Sequence, residues 1–496
     1  MQSAKAEMNI LAGIILFIIS ALLIFLPTMI QSFRKTQPKW NAILFLPVLG
    51  TIVLSLSCLV VGSLLLAGTF TVDLRTFSGG ALTTARSQIR RAPLTKAEKI
   101  KKSYDHLNKG VTFVADEQYL KAIKEYKKAL RLHPRLAHAH NNIGVAYSAL
   151  GLHAQAMIHF KRALTINPAY DIAYLGLGDM HLSLGNYEQA IVEYNKGIGL
   201  NPGLIDGYYN LGVAYEALGL YQKAIDSYKK ILDIDPHYLD AYYGMGVAYD
   251  ALGQHNQALT FYNEVIATDP NYSDAYYGLG FAHESLGHHQ EAINAYKAAI
   301  KTEPSRAATY NTLANVYIEL GQHQQAIAYY EKALEVNPKY AFAHNNLGTT
   351  YLDLGQQTKA LEHLMTALRI DPTLADAHYN LGVVYELKEY YDDAIASYQD
   401  VIYLNPLHAK AHNNLGTVNI TLGQLKEAIG YLQAAVKLNP DFADAFQNLG
   451  IAQELLGKYL EAREHFQKAR ALYRSQGNVE GVRLVNEYLN ELSTPQ

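Results

Sequence analysis

The sequence predicts an all-α solenoid, and three periodic features predict it. Ten prolines recur at one spacing: Pro134, Pro168, Pro202, Pro236, Pro270, Pro304, Pro338, Pro372, Pro406 and Pro440, each 34 residues from the next. Alanine occupies one place in every period, at Ala122, Ala156, Ala190, Ala224, Ala258, Ala292, Ala326, Ala360, Ala394, Ala428 and Ala462. Glycine marks two others. A fixed period of this size means stacked supersecondary units, each burying its apolar face on its neighbours.

Opening each unit 31 residues before its proline gives eleven units over 103–476, the last carrying Arg474 where proline would fall. Within a unit, Gly151, Gly185, Gly219, Gly253, Gly287, Gly321, Gly355, Gly423 and Gly457 end a first helix, where a positive φ is needed. The proline closes a second helix, because it cannot continue one. The twentieth position is alanine so that two helices approach closely. The eighth is glycine in ten units, with Ala314 the exception, and its spacing marks the matching gap in the first helix. Tyrosines fill the knobs, Tyr208, Tyr242, Tyr276 and Tyr310 at the fourth position and Tyr194, Tyr228, Tyr262, Tyr296 and Tyr330 at the twenty-fourth. Their hydroxyls are expected at the wet rim. Residues 477–496 hold the amphipathic run VEGVRLVNEYLNEL, read as a capping helix.

Ahead of the repeats, residues 9–30 and 42–68 carry no charge and are each long enough to cross a bilayer as a helix. They predict a two-helix transmembrane hairpin in contact with membrane lipid through 9–68, between a tail at 1–8 and a basic linker at 69–102. The first span lacks the basic start and small-residue cleavage site of a signal peptide. The loop at 31–41 holds Arg34, Lys35, Lys39 and Trp40 without an acid, which favours a cytoplasmic loop and an extracytoplasmic array. The basic stretch from Arg86 to Lys102 argues for the cytoplasmic alternative. The expectation is therefore an integral membrane protein.

Composition excludes several classes. A net charge of −3 supplies no basic surface for nucleic acid. The one cysteine, Cys58, permits no intramolecular disulfide and no cysteine metal cluster. Most of the 19 histidines fall at repeat positions, such as His140, His344, His378 and His412 at the fourth, where they stand in for tyrosine in packing. The tight group His283, His288 and His289 has no carboxylate at ligand spacing and no HExxH, so no metal site is expected. Phosphate-loop and dinucleotide motifs are missing, and no cofactor is expected.

Units such as AFAHNNLGTTYLDLGQQTKALEHLMTALRIDP (341–372) and IDGYYNLGVAYEALGLYQKAIDSYKKILDIDP (205–236) resemble the tetratricopeptide repeat, TPR. They are similar to the superhelical repeat region of O-GlcNAc transferases. The family's tryptophan at the fourth position is replaced by tyrosine, histidine or phenylalanine throughout. The resemblance covers about three quarters of the chain and implies helix pairs stacked into a right-handed superhelix. The first helices would line its groove. With 102 residues before the repeats and 20 after, a catalytic domain like the transferase's is not expected, and the chain is read as a non-enzyme.

In the family the groove is formed by the second, fifth, sixth, ninth, twelfth and thirteenth positions. The resemblance therefore makes Asn108, Asn142, Asn210, Asn346, Asn380, Asn414 and Asn448 a ladder of amides at the sixth position, able to pair with the backbone of an extended peptide. The ladder is interrupted at Gly176, Gly244, Gly278 and Thr312. Around that interruption Tyr209, Tyr243 and Tyr277 fill the fifth position, with Tyr379 further on. Glu216, Asp250 and Glu284 fill the twelfth, and Asp206, Asp240 and Asp274 the second. Together they suggest an acidic, tyrosine-lined patch for a basic or aromatic segment. The function expected is a membrane-anchored scaffold or adaptor for protein or peptide partners. The alternatives are a non-catalytic subunit or assembly factor of a membrane enzyme or secretion complex, and a self-assembling structural protein that forms homo-oligomers.

Overall fold

A computed structural model describes residues 94–492, which form helices and no strand. They divide into two compact units, 94–218 and 219–492, each described by itself. The first holds α1 (Lys96–Ala115), α2 (Tyr119–Leu132), α3 (Ala137–Ala149), α4 (His153–Ile166), α5 (Asp171–Ser183), α6 (Tyr187–Leu200) and α7 (Ile205–Ala217). The second opens with α8 (Tyr221–Ile234), α9 (Leu239–Ala251), α10 (His255–Thr268), α11 (Ser273–Ser285) and α12 (His289–Thr302). It continues with α13 (Ala307–Glu319), α14 (His323–Val336), α15 (Ala341–Asp353), α16 (Gln357–Ile370), α17 (Ala375–Leu387) and α18 (Tyr391–Leu404). It closes with α19 (Ala409–Thr421), α20 (Leu425–Leu438), α21 (Ala443–Leu455), α22 (Tyr459–Ser475) and α23 (Val479–Glu491). Odd-numbered helices up to α21 are first helices of repeats and even-numbered ones are second helices.

The expected integral membrane protein is corrected here: no helix among the described residues is long and apolar enough to cross a membrane. Most are 13 or 14 residues long, so they rise about 20 Å against the ~30 Å of hydrocarbon. The 20-residue α1 is instead loaded with Lys96, Glu98, Lys99, Lys101 and Lys102. The stretches 9–30 and 42–68, assigned to the hairpin, lie outside the described residues, as does the lipid contact expected of 9–68.

Two backbone devices punctuate each period. At the end of α3, Gly151 takes φ +71, its N–H donates to Ser148 O at 2.9 Å and the Leu152 N–H donates to Tyr147 O at 2.9 Å. This is a Schellman ending, which only a residue at ease with positive φ makes cheaply. After the second helix, the residue before each proline turns the chain. The Asn167 side chain accepts from the Ala169 N–H at 3.2 Å, and Asp371 accepts from the Thr373 N–H at 2.9 Å. Asparagine and aspartate hold such turns because the short side chain reaches the backbone two residues on.

The core sits between the paired helices. Tyr194, Tyr296 and Tyr398 at the twenty-fourth position are fully buried. The eighth-position glycine is the gap that receives them: a Cβ on Gly382 would lie 2.6 Å from the Tyr398 ring, and one on Gly144 2.7 Å from Phe160. The gap thus serves the ring rather than the twentieth-position alanine. Within each unit neighbouring first helices touch one another, which places them on the inner side of the stack.

Candidate protein-binding face

The sixth-position asparagines point back at the preceding repeat. Asn210 donates to Asp179 Oδ1 at 2.8 Å, and Asn380 to Thr349 Oγ1 at 2.8 Å. Asn346 donates to Asn311 Oδ1 at 3.1 Å and Asn315 Oδ1 at 3.2 Å. Asn414 reaches the hydroxyls of Tyr379 and Tyr398, both at 3.2 Å, and Asn448 reaches Asn413 Oδ1 at 3.0 Å and Thr417 Oγ1 at 3.2 Å. Asn142 bonds to the Tyr126 side chain, and Asn108, in the first repeat, is exposed. An amide nitrogen carries two hydrogens, so Asn346, Asn414 and Asn448 spend both inside the protein. What the ladder leaves for a ligand is its carbonyl oxygens. The glycines that interrupt it have a packing reason: a Cβ on Gly244 would lie 2.7 Å from the Tyr228 ring, and one on Gly278 2.5 Å from Tyr262.

The acidic residues are likewise engaged. Asp250 accepts from the Tyr262 hydroxyl at 2.9 Å and pairs with His255 Nδ1 at 2.9 Å. Glu284 accepts from Tyr296 at 2.6 Å, and Glu386 from Tyr398 at 2.8 Å. In the first unit Asp179 accepts from Tyr194 at 2.9 Å, and burial pushes its pKa up to about 6 against that bond and Asn210's. Burial also raises Asp250, Glu284 and Glu386, each against its tyrosine bond. The hydroxyls of Tyr194, Tyr262, Tyr296 and Tyr398 therefore end on carboxylates and that of Tyr330 on Asn315 Oδ1 at 2.7 Å, not at a wet rim. For Tyr262, Tyr296 and Tyr398 this partnership was readable in the sequence as a tyrosine twelve residues after an acid, a spacing that sequence reasoning missed; Tyr194 follows Asp179 by fifteen. Glu216 is half-buried.

The tyrosines form wedges between repeats. Tyr243 packs on Tyr262 and Tyr272, with ring centroids 5.9 and 5.5 Å away. Tyr277 lies 5.5 Å from the Tyr296 ring under the Arg306 guanidinium at 4.8 Å, and Arg306 also pairs with Asp274. Tyr272 donates to Asp240 at 2.9 Å. Tyr379 packs on Tyr398 and His408, and Tyr209 is half-buried. Asn108, Asn142, Tyr209, Asn210 and Glu216 belong to the first unit, and the remaining candidates to the second.

At the fourth position histidine and tyrosine do one job. His378 Nε2 meets Pro372 O at 3.0 Å and His412 Nε2 meets Pro406 O at 3.2 Å, where Tyr242 donates to Pro236 O at 3.2 Å. Their partner across the helix pair is the twenty-third position. His140 and His159 meet there Nδ1 to Nδ1 at 3.1 Å, as do His344 and His363 at 3.0 Å. Ring centroids 5.3 Å apart in both pairs require a head-on approach, the geometry of an N–H···N bond. Burial lowers the pKa of all four rings.

A family model described as the C-terminal domain of cilia and flagella-associated protein 70 matches residues 272–482. Models of the tetratricopeptide repeat match residues 110–151 and 178–219, 215–280, and 137–170. Two crystal structures of MamA are similar at 30% and 32% identity, over 34% of this chain and 97% and 93% of theirs, with TM-scores of 0.32 and 0.31. Yeast Tom70 is similar at 16% identity over 79% of this chain and 96% of its own, with a TM-score of 0.39. No curated protein matches. The repeat models coincide with the 34-residue frame, its glycine turns and its stacked helix pairs, and the chain belongs to the tetratricopeptide-repeat family.

Proposed function

We propose that the chain is a protein-interaction scaffold whose first-helix face in the second unit takes an extended, basic peptide segment. The observation that carries this reading is the direction of the amides. With their hydrogens committed to the preceding repeat, Asn346, Asn414 and Asn448 can meet a ligand only with acceptor oxygens, of which those of Asn346 and Asn414 already take one bond each from Asn345 and Asn413. Glu284 and Glu386, each held by a tyrosine, add carboxylate oxygens along the same set of helices. A row of acceptors pairs with backbone N–H groups and with lysine or arginine, which are donors only. Apolar anchorage comes from Phe342 at the second position and Phe281 at the ninth, both about half exposed.

The role is that of a scaffold holding a partner, consistent with a fold given over to repeats. A photo-crosslinking residue placed at Val383, on the ninth position of α17, tests it against one at Tyr403, on the second helix α18 and 85% exposed. Partner adducts should form from position 383. Adducts only from position 403 would move the interaction to the other face and overturn the reading.

A further inference from the structure

A hollow of about 300 Å³ opens in the second unit between the second helices α12 and α14, lined by Lys297, Ile300, Tyr310, Tyr329, Lys332, Glu335 and Val336. It shares no residue with the first-helix face discussed above. Its size is at the small end of ligand sites. Two tyrosine rings, an isoleucine and a valine give it flat apolar walls.

Lysines rest on aromatic rings elsewhere in the chain, as Lys127 does on Tyr147 and Lys359 on Tyr351, but this hollow gathers two of them. The Lys332 ammonium lies 5.0 Å from the centre of the Tyr329 ring, and Lys297 lies 5.8 Å from Tyr317. Tyr317 and Tyr329 stack on each other at 5.4 Å and 12°, so one aromatic platform seats both cations. Among the described residues no carboxylate comes within 4.0 Å of either ammonium. Some second-helix lysines are neutralised instead, Lys128 by Glu125, Lys196 by Glu193 and Lys230 by Asp233. The hydroxyl of Tyr317, hydrogen-bonded to Lys297, raises that lysine's pKa. Glu335 is exposed at the edge, which leaves the site with one net positive charge.

An ammonium has three N–H donors; Lys332 rests on a π face and Lys297 gives one donor to the Tyr317 hydroxyl, so both retain donors for an anion. We propose that this hollow binds an anionic aryl group, a ring lying on the tyrosines with its phosphate or carboxylate between Lys297 and Lys332. Such a group is presented either by a small aryl phosphate or carboxylate or by a phosphotyrosine on a protein.

Calorimetry of the full chain with phenyl phosphate, inorganic phosphate and phenol tests the assignment. Phenyl phosphate should bind with a Kd on the order of 0.1–1 mM, and phosphate or phenol alone at least tenfold more weakly. Lys297→Gln and Lys332→Gln should each weaken phenyl phosphate about tenfold with unchanged helical circular dichroism, while Lys301→Gln, on the exposed side of α12, should not. A phosphotyrosine peptide that binds tenfold tighter than phenyl phosphate assigns the site to a protein ligand, and equal binding assigns it to a small molecule. No measurable heat up to 10 mM (roughly ten times the upper expected Kd), equal affinity for inorganic phosphate, or full affinity in both lysine variants would overturn it.

Discussion

The hydroxyl of Tyr262 donates to the carboxylate of Asp250 at 2.9 Å, joining the twenty-fourth position of one repeat to its twelfth. The acid is buried, with a tyrosine on one oxygen and a histidine on the other. Tyr262→Phe would leave Asp250 with His255 as its recorded partner. We expect a loss of about 1–2 kcal/mol, read as a lower midpoint in urea. The Tyr296→Phe variant should behave alike, because Glu284 occupies the same place.

A related latch, from Tyr194 to Asp179 at the ninth position, makes stability depend on pH. Asp179 has a pKa raised from 3.8 to about 6 by burial, so the folded chain binds this proton more tightly than the unfolded one. Its contribution is full below about 4 and is lost as pH rises through 6. Asp179→Asn should therefore flatten the first unit's stability profile between pH 4 and 6. Melting temperature against pH, wild type beside variant, checks it, and an unchanged slope would assign the dependence to another group.

The period, the helix pairs and the glycine turns were legible because each is a local demand: φ above zero at Gly151, a stop at each proline, a small residue where a ring lies opposite. What the sequence hid was the direction of polar side chains. Asn346 reads as a groove amide from its place in the repeat, but its hydrogens turn to Asn311 and Asn315, residues of the previous repeat. Asp274 reads as part of an acidic patch until Arg306, 32 residues on, folds back onto it. The Asx turns at Asn167 and Asp371 were present as Asn-Pro and Asp-Pro pairs. The apolar stretches at 9–30 and 42–68 are legible as composition alone.

Repeats 1 and 9 break the glycine rule. Glu117 sits at φ 56 and Glu389 at φ 61, where the other repeats place glycine near φ 70. A side chain in the left-handed region costs about 1 kcal/mol. Glu389→Gly should raise stability by about 0.5–1 kcal/mol, the gain reduced by glycine's freer unfolded chain. Thermal or urea unfolding reads it, and a destabilised variant would show that Glu389 makes a compensating contact.

Gly382→Ala should cost about 1–3 kcal/mol, because its new methyl would lie 2.6 Å from the buried Tyr398 ring. Repeat 7 shows the accommodated alternative, with Ala314 and Tyr330 both buried in one helix pair. Gly382→Ala and Gly144→Ala should each lower the urea midpoint, and Ala314→Gly should lower it too, by about 1 kcal/mol, from helix propensity.

The most direct test of the acceptor-lined face is fluorescence anisotropy of two labelled extended peptides that differ only in charge. One alternates lysine with apolar residues and the other places glutamate at the lysine positions. The face formed by Asn346, Asn380, Asn414, Asn448 and the tyrosine-anchored acids should bind the lysine peptide, lose affinity as salt rises, and leave the glutamate peptide free. Equal or tighter binding of the glutamate peptide would contradict it.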